Sequence, residues 1–360
     1  MIKMKKGKVI RNIVLIIVAL ILVAGIGTVI IFNREIQIIS SIEKFSGEHP
    51  YYVMDYKNGY HLEELLQKNI SSDGELADIL AGYISHGFYT PSVEPEIHIG
   101  CSTLTCMNEE GNMLWGRNFD WYDSVPIIVR ATPNGGYASI STCEFSNITG
   151  DTTSLPEGIA NSFLAIAAYW VPMDGINEKG LCVANLEVNE GGQKLIDTSK
   201  NNITVTMATR LLLDQAANID EAVQLLEQYD ICPSGGISSH LSISDSTGKA
   251  VVVEFMDGKI EVVETPVVTN FNLKNGDITA GGESAMNRYN TLVDIYEDTN
   301  GIMQKENIVK AMEAASQKEG KWMTRWTIVY ENTGMDDLDN LAVNYYWSGD
   351  YENVYQISLK

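Results

Sequence analysis

Cysteine is scarce, with five in 360 residues. That is too few for a disulfide-built scaffold, and the odd count leaves at least one thiol unpaired. No C-x-x-C pair occurs, so zinc and thioredoxin-like chemistry lack their usual signal, and neither a metal nor a cofactor is expected. Positive charge is also in short supply. Six basic residues lie at or before Arg34 with no acid among them, which leaves 19 basic against 47 acidic groups in residues 35–360, a net of −28. A body of that charge repels phosphate backbones, so nucleic acid is not an expected partner. Global disorder is excluded too: 45% of residues are hydrophobic, and 17 Tyr, 8 Phe and 6 Trp need packing.

One long apolar run is present. Five positive charges in residues 1–11 precede Ile13 to Phe32, 20 uncharged and mostly aliphatic residues. As a helix that run is about 30 Å long, the thickness of a bilayer core. A cleavable signal peptide has a shorter apolar core ending in small residues, whereas this run ends in Ile30-Ile31-Phe32-Asn33-Arg34. A transmembrane signal anchor over residues 12–33 is therefore expected. The basic flank, residues 1–11, would be cytoplasmic and the rest of the chain would lie outside the cell membrane. Secretion after signal cleavage is the alternative.

Apolar spacing of three and four predicts two short helices, Tyr60–Gln67 and Gly74–Ile84, within a helical segment spanning 34–100. From Cys101 the pattern turns strand-rich. Cys101–Met107 and Met113–Phe119, joined by Asn108-Glu109-Glu110-Gly111-Asn112, predict a β-hairpin. Further strands are expected at Gly180–Val188, Leu241–Ser244, Ala250–Phe255, Trp326–Glu331, Leu341–Trp347 and Val354–Leu359. Helices are expected within Thr204–Tyr229, with a second start at Asn218, and at Ala285–Tyr296 and Lys305–Ser316. Blocks of strands alternating with blocks of helices indicate a layered α+β fold.

Cys106, Cys143, Cys182 and Cys232 read as buried thiols acting as small hydrophobes. Cys101 has different surroundings. It follows Gly100 and starts the hairpin whose return arm carries Arg117, Asn118, Phe119 and Asp120. Such an arm can bring a guanidinium and a carboxylate beside the thiol, and a cationic neighbour favours thiolate. A Cys–His pair is one route to activation, but His240 is the only histidine after Cys101 and nothing local marks it. The other route needs no histidine. Cutting Gly100–Cys101 would place an α-amine, of intrinsic pKa about 7.7–8.0, on the nucleophile's own residue as its base.

These residues resemble a known family. Cys101-Ser102-Thr103, followed by Gly116-Arg117-Asn118-Phe119-Asp120-Trp121 with the arginine sixteen residues after the cysteine, is similar to the start of the mature choloylglycine hydrolases and penicillin V acylases. Asp174-Gly175-Ile176-Asn177-Glu178-Lys179-Gly180-Leu181, then Val267-Val268-Thr269-Asn270, extend the likeness over most of residues 98–360. The resemblance implies a four-layer αββα sandwich of the N-terminal nucleophile hydrolase type over 101–360, preceded here by the transmembrane helix. It also implies hydrolysis of a linear, non-peptide N-acyl amide as the small-molecule substrate.

By the same resemblance Cys101 is the nucleophile and its freed amine the base. Arg117 stabilises the thiolate, Asp120 holds the amine, and Asn270 supplies an oxyanion-hole N–H, a contribution of roughly 3–4 kcal/mol. Arg288 is similar to the family's late arginine; it reads equally as a surface residue at a helix start. At the second oxyanion position stands Glu187, of which only the backbone N–H could help. The internal position of Cys101 is similar to acid ceramidase and N-acylethanolamine acid amidase, which cut at this bond and retain the upstream piece as a small subunit. Residues 34–100 would be that piece. Two alternatives remain: an acyltransferase of the same fold, and a silent binding module on a hydrolase scaffold.

Overall fold

The computed structural model describes residues 27–45, 50–57, 62–87, 100–121, 125–188, 199–256, 258–274, 276, 278–320, 322–333 and 341–359. The apolar run at Ile13–Ile26 lies outside them, and among the described residues no helix is long and apolar enough to cross a membrane. In chain order the strands are β1 (Glu43–Phe45), β2 (Tyr51–Lys57), β3 (Gly100–Met107), β4 (Met113–Trp121), β5 (Pro126–Thr132) and β6 (Ser139–Glu144). They continue with β7 (Asp174–Asn177), β8 (Cys182–Glu187), β9 (Asn201–Thr204), β10 (Tyr229–Cys232), β11 (Ser239–Ser244) and β12 (Ala250–Met256). The last are β13 (Lys259–Glu264), β14 (Val267–Val268), β15 (Met323–Glu331), β16 (Ala342–Trp347) and β17 (Tyr355–Ser358). The principal helices are α1 (Asn33–Ser40), α2 (Leu62–Leu66), α3 (Asp73–Ile84), α4 (Gly158–Ala165), α5 (Val205–Gln215), α6 (Ile219–Leu226), α7 (Gly282–Asp298) and α8 (Lys305–Ala314).

Two sheets are stacked face to face. Among the described residues one has nine strands in the order β1-β2-β5-β6-β7-β8-β11-β12-β13, and the other has six in the order β14-β3-β4-β15-β16-β17. Alternation along the strands produces three apolar layers. Ile127, Val129, Val183, Leu241 and Val253 face helices α1 to α6, while Ile128, Ile140, Ala184, Leu186 and Val252 face the second sheet. On β4, Met113, Trp115, Phe119 and Trp121 enter that inter-sheet layer, and Leu114 turns to the far side, where Ile308 and Met312 of α8 and Leu292 of α7 close the fourth layer. The arrangement is helix, sheet, sheet, helix.

The segment expected to be helical holds the expected helices, as Leu62–Leu66 and Asp73–Ile84, but also two strands. Strand β2 pairs in parallel with β5, from Tyr52 opposite Ile127 to Lys57 opposite Thr132. Tyr51 to Met54 are all buried. A parallel strand covered on both faces shows no polar alternation, so nothing marks it in the sequence. Its partner is supplied by residues some 75 positions away, as in the Arg130–Asp55 ion pair at 2.6 Å.

The Asp174–Leu181 segment packs for local reasons. A Cβ on Gly175 would lie 2.7 Å from Leu213 and 3.0 Å from the Ile140 carbonyl, so only glycine lets α5 sit this close to β7. Asn177 Oδ1 accepts from the N–H groups of Lys179 and Leu181, and its Nδ2 donates to the carbonyls of Leu213 and Ala216. Gly180 takes φ +80° in the turn that follows. Thr204 and Asn218 cap α5 and α6 by accepting from Met207 N–H and Glu221 N–H.

Candidate active site

Hairpin β3–β4 is in register from Gly100 opposite Asp120 to Met107 opposite Met113. That pairing sets Cys101 opposite Phe119 and Thr103 opposite Arg117. Cys101 and Arg117 therefore share the inter-sheet face, whereas Asp120 and Gly100 belong to the face beneath α7 and α8. Cys101 is fully buried.

The groups expected to act together meet around residue 101. The Cys101 N–H donates to Asn270 Oδ1 at 2.9 Å, and its carbonyl accepts from Arg288 Nη1 at 2.5 Å. Arg288 Nη2 donates to the same Asn270 oxygen at 2.7 Å, and Nη1 lies 3.4 Å from Asp120 Oδ2. Arg288 is 7% exposed, so the surface reading of this arginine is overturned: α7 aims it inward from its second turn. The Cys101 thiol points to the Asn185 carbonyl, 3.9 Å away.

In the uncut chain the peptide N–H of Cys101 is held by Asn270, and both Asp120 oxygens are engaged by other side chains. Thr324 Oγ1 donates to Oδ1 and Gln317 Nε2 to Oδ2, each at 2.7 Å. The Asn270 amide donates to the Glu187 carbonyl at 2.9 Å, so Glu187 meets the cluster through its C=O, with its side chain half-buried.

Arg117 is fully buried and pairs with an acid that the sequence did not single out. Its Nε lies 2.8 Å from Asp174 Oδ2, which also accepts from Trp326 Nε1 at 3.1 Å. The guanidinium stands over the Phe119 ring, 4.8 Å from its centre, and among the described residues both terminal nitrogens are buried without a hydrogen-bond partner. Asp174 opens the D-G-x-N segment, whose motif alone gave no sign of this role.

His240 does not approach the thiol. Its Nε2 is 2.9 Å from the Thr269 carbonyl and its Nδ1 is 3.9 Å from Glu254. Glu254 in turn accepts from the N–H groups of Leu273 and Lys274. Histidine and glutamate thus clamp the turn that carries Asn270.

Burial pushes the Cys101 thiol up to about 12, against which Arg117 pulls it down; Asp120 raises it, Arg288 lowers it and Asp174 raises it. With the chain intact, the thiolate is thus a trace species at neutral pH. The arrangement offers a sulfur nucleophile, a buried cation beside it, and an amide and a guanidinium gripping both sides of its backbone. Among the described residues no histidine stands beside the sulfur to serve as its base.

Residues 101–275 match the model of the linear amide C–N hydrolases, choloylglycine hydrolase family. A penicillin V acylase of Pectobacterium atrosepticum is 29% identical over 157 residues, so the match spans 40% of this chain and 40% of that curated relative's length. Among solved structures, penicillin V acylase from Agrobacterium tumefaciens superposes with a TM-score of 0.51 at 17% identity, covering 72% of this chain and 86% of that one. A variant of the conjugated bile acid hydrolase from Clostridium perfringens gives a TM-score of 0.51 at 18% identity, covering 72% and 92%. At these identities the structural likeness is one of fold.

Proposed function

We propose that the chain, whose residues 101–275 match the choloylglycine hydrolase family of linear amide C–N hydrolases, acts as a member of that family, cutting itself ahead of Cys101 and then hydrolysing a linear N-acyl amide through an acyl-enzyme on that residue. The observation that carries this reading is the convergence of Arg117, Asp120, Asn270 and Arg288 on the backbone and thiol of Cys101. In scission the thiol adds to the Gly100 carbonyl, the C–N bond breaks with a proton passing to nitrogen, and water hydrolyses the resulting thioester. The products are a carboxylate at Gly100, a restored thiol and a free amine at Cys101.

That amine supplies the missing base. It takes the thiol proton, the thiolate attacks the substrate's acyl carbon, and the proton passes on to the departing amine. Water then releases the acid. Arg117 favours the thiolate throughout. An amide N–H of Asn270, turned from Glu187 to the developing oxyanion, stabilises the tetrahedral state. Phe119, Trp121 and Trp326 belong to the same inter-sheet apolar layer as Cys101, surroundings that suit an apolar acyl group.

The upstream piece stays bound in this reading. Tyr52, Met54, Tyr56, Leu65, Leu66 and Ile70 are buried in the core shared with β5 and α5, and each such side chain contributes about 1.5–3 kcal/mol. Parallel pairing of β2 with β5 adds a backbone ladder. Mass spectrometry of the purified protein should show a new N-terminus at Cys101. The two pieces should elute together from a sizing column in buffer and separate only in denaturant. An intact chain that hydrolyses acyl amides at full rate would remove the mechanism.

We also place the Ile13–Phe32 run across the cell membrane with the body outside. Val29, Ile30 and Ile31 are 55%, 70% and 53% exposed, an apolar surface that a bilayer would cover. The full chain should resist alkaline extraction from membranes. Its release into the soluble fraction would favour the secreted form.

A further inference from the structure

Resting on the self-processing reading above, we propose that Gln317 is a positioning residue for scission and for the freed amine, and that it restricts the residue ahead of the nucleophile to glycine. Gln317 lies in the link between α8 and β15. Its Nε2 donates to Asp120 Oδ2 at 2.7 Å and its Oε1 accepts from Ser284 Oγ at 3.0 Å. The Gln317 backbone N–H donates to Thr324 Oγ1 at 2.8 Å, and that hydroxyl donates to Asp120 Oδ1. The link and the start of β15 together therefore hold both carboxylate oxygens.

The same groups crowd the scissile residue. A Cβ on Gly100 would stand 3.0 Å from Asp120 Cβ, 3.1 Å from Gln317 Nε2 and 3.2 Å from Asp120 Oδ2. A larger residue at position 100 makes Asp120 and Gln317 give by a few tenths of an ångström, which disturbs the hydrogen bond between them. After scission the amine of Cys101, whose nitrogen the uncut chain holds against Asn270 Oδ1, comes under the electrostatic influence of Asp120, which Gln317 tempers by hydrogen bonding. The other charged groups around residue 101 are Arg117 on β4, Asp174 on β7 and Arg288 on α7.

Two measurements on the full chain test this. The first follows scission over time in cell-free synthesis by gel and intact mass. Gly100→Ala should cut about tenfold more slowly than the native sequence, or slower still. Gly100→Ala with Gln317→Gly should recover about threefold of that loss, because the shortened side chain vacates the space. The second is the pH profile of acyl-amide hydrolysis by the processed enzyme. Removing the donor, or adding a charge, leaves more negative potential at the amine and favours its protonated form. The rising limb should therefore move to higher pH by about half a unit in Gln317→Ala and about one unit in Gln317→Glu. A merely structural role gives no such charge-ordered shift. Native scission with unchanged rates and an unmoved pH limb in these variants would overturn the role of Gln317 alone. Absence of scission in the native chain would overturn the reading on which it rests.

Discussion

Cys101→Ala should yield one uncut chain with acyl-amide hydrolysis reduced on the order of 10⁴-fold or more, to background. The size of the effect follows from two roles carried by one atom. The sulfur is the attacking group in scission, and it also carries the acyl group in turnover. Losing it removes the base as well, because the amine exists only after the cut. Cys101→Ser separates the two roles. The hydroxyl is a weaker nucleophile, but the same Asn270 and Arg288 grip its backbone. Slow scission without turnover is the expected outcome, read by intact mass and by an acyl-amide panel on the same sample. Both variants should keep the native melting temperature within a few degrees, since Cys101 fills a small volume in a large apolar layer. A Cys101→Ala chain that still releases the 101–360 piece would show that another group makes the cut.

How much of this site could be read in advance depends on chain distance. The β3–β4 hairpin is local, so its register and the meeting of Cys101 with Arg117 were legible from spacing and a turn. Strand boundaries at β8, β11, β12 and β15 fell close to expectation for the same reason. Strand β2 was not legible, because it depends on a distant parallel partner and shows no alternation. Asp174 was visible only as part of a motif. Its pairing with Arg117 arises when β7 of one sheet is laid over β4 of the other, and no local rule encodes that stacking. Gln317 sits in the link between α8 and β15 and Thr324 at the start of that strand, where sequence carries least signal. Arg288 had two readings because a helix start exposes some residues and buries others. Packing against β3 decided it.

Asp174→Ala should produce the largest loss of stability of any single change in the site. Both partners of the Arg117–Asp174 pair are fully buried, and removing the acid strands a guanidinium between two sheets. Such uncompensated burial costs about 3–5 kcal/mol. The Trp326 N–H loses its acceptor in the same stroke. Denaturant unfolding should register the loss, and scission should fail in whatever fraction misfolds. Asp174→Asn distinguishes charge from shape. The amide can still accept from Trp326 and fill the space, so its stability cost should be smaller than that of alanine. Its effect on the thiol has the opposite sense. Asp174 raises the Cys101 thiol while Arg117 lowers it, so neutralising the acid leaves the cation unopposed and favours thiolate. Folded Asp174→Asn protein should therefore be alkylated at Cys101 at lower pH than the native form, although it unfolds more readily. Stability lost alongside a thiol made more acidic is the signature of a buried ion pair that serves the nucleophile. An Asp174→Ala chain as stable as the native one would mean that Arg117 finds its compensation elsewhere.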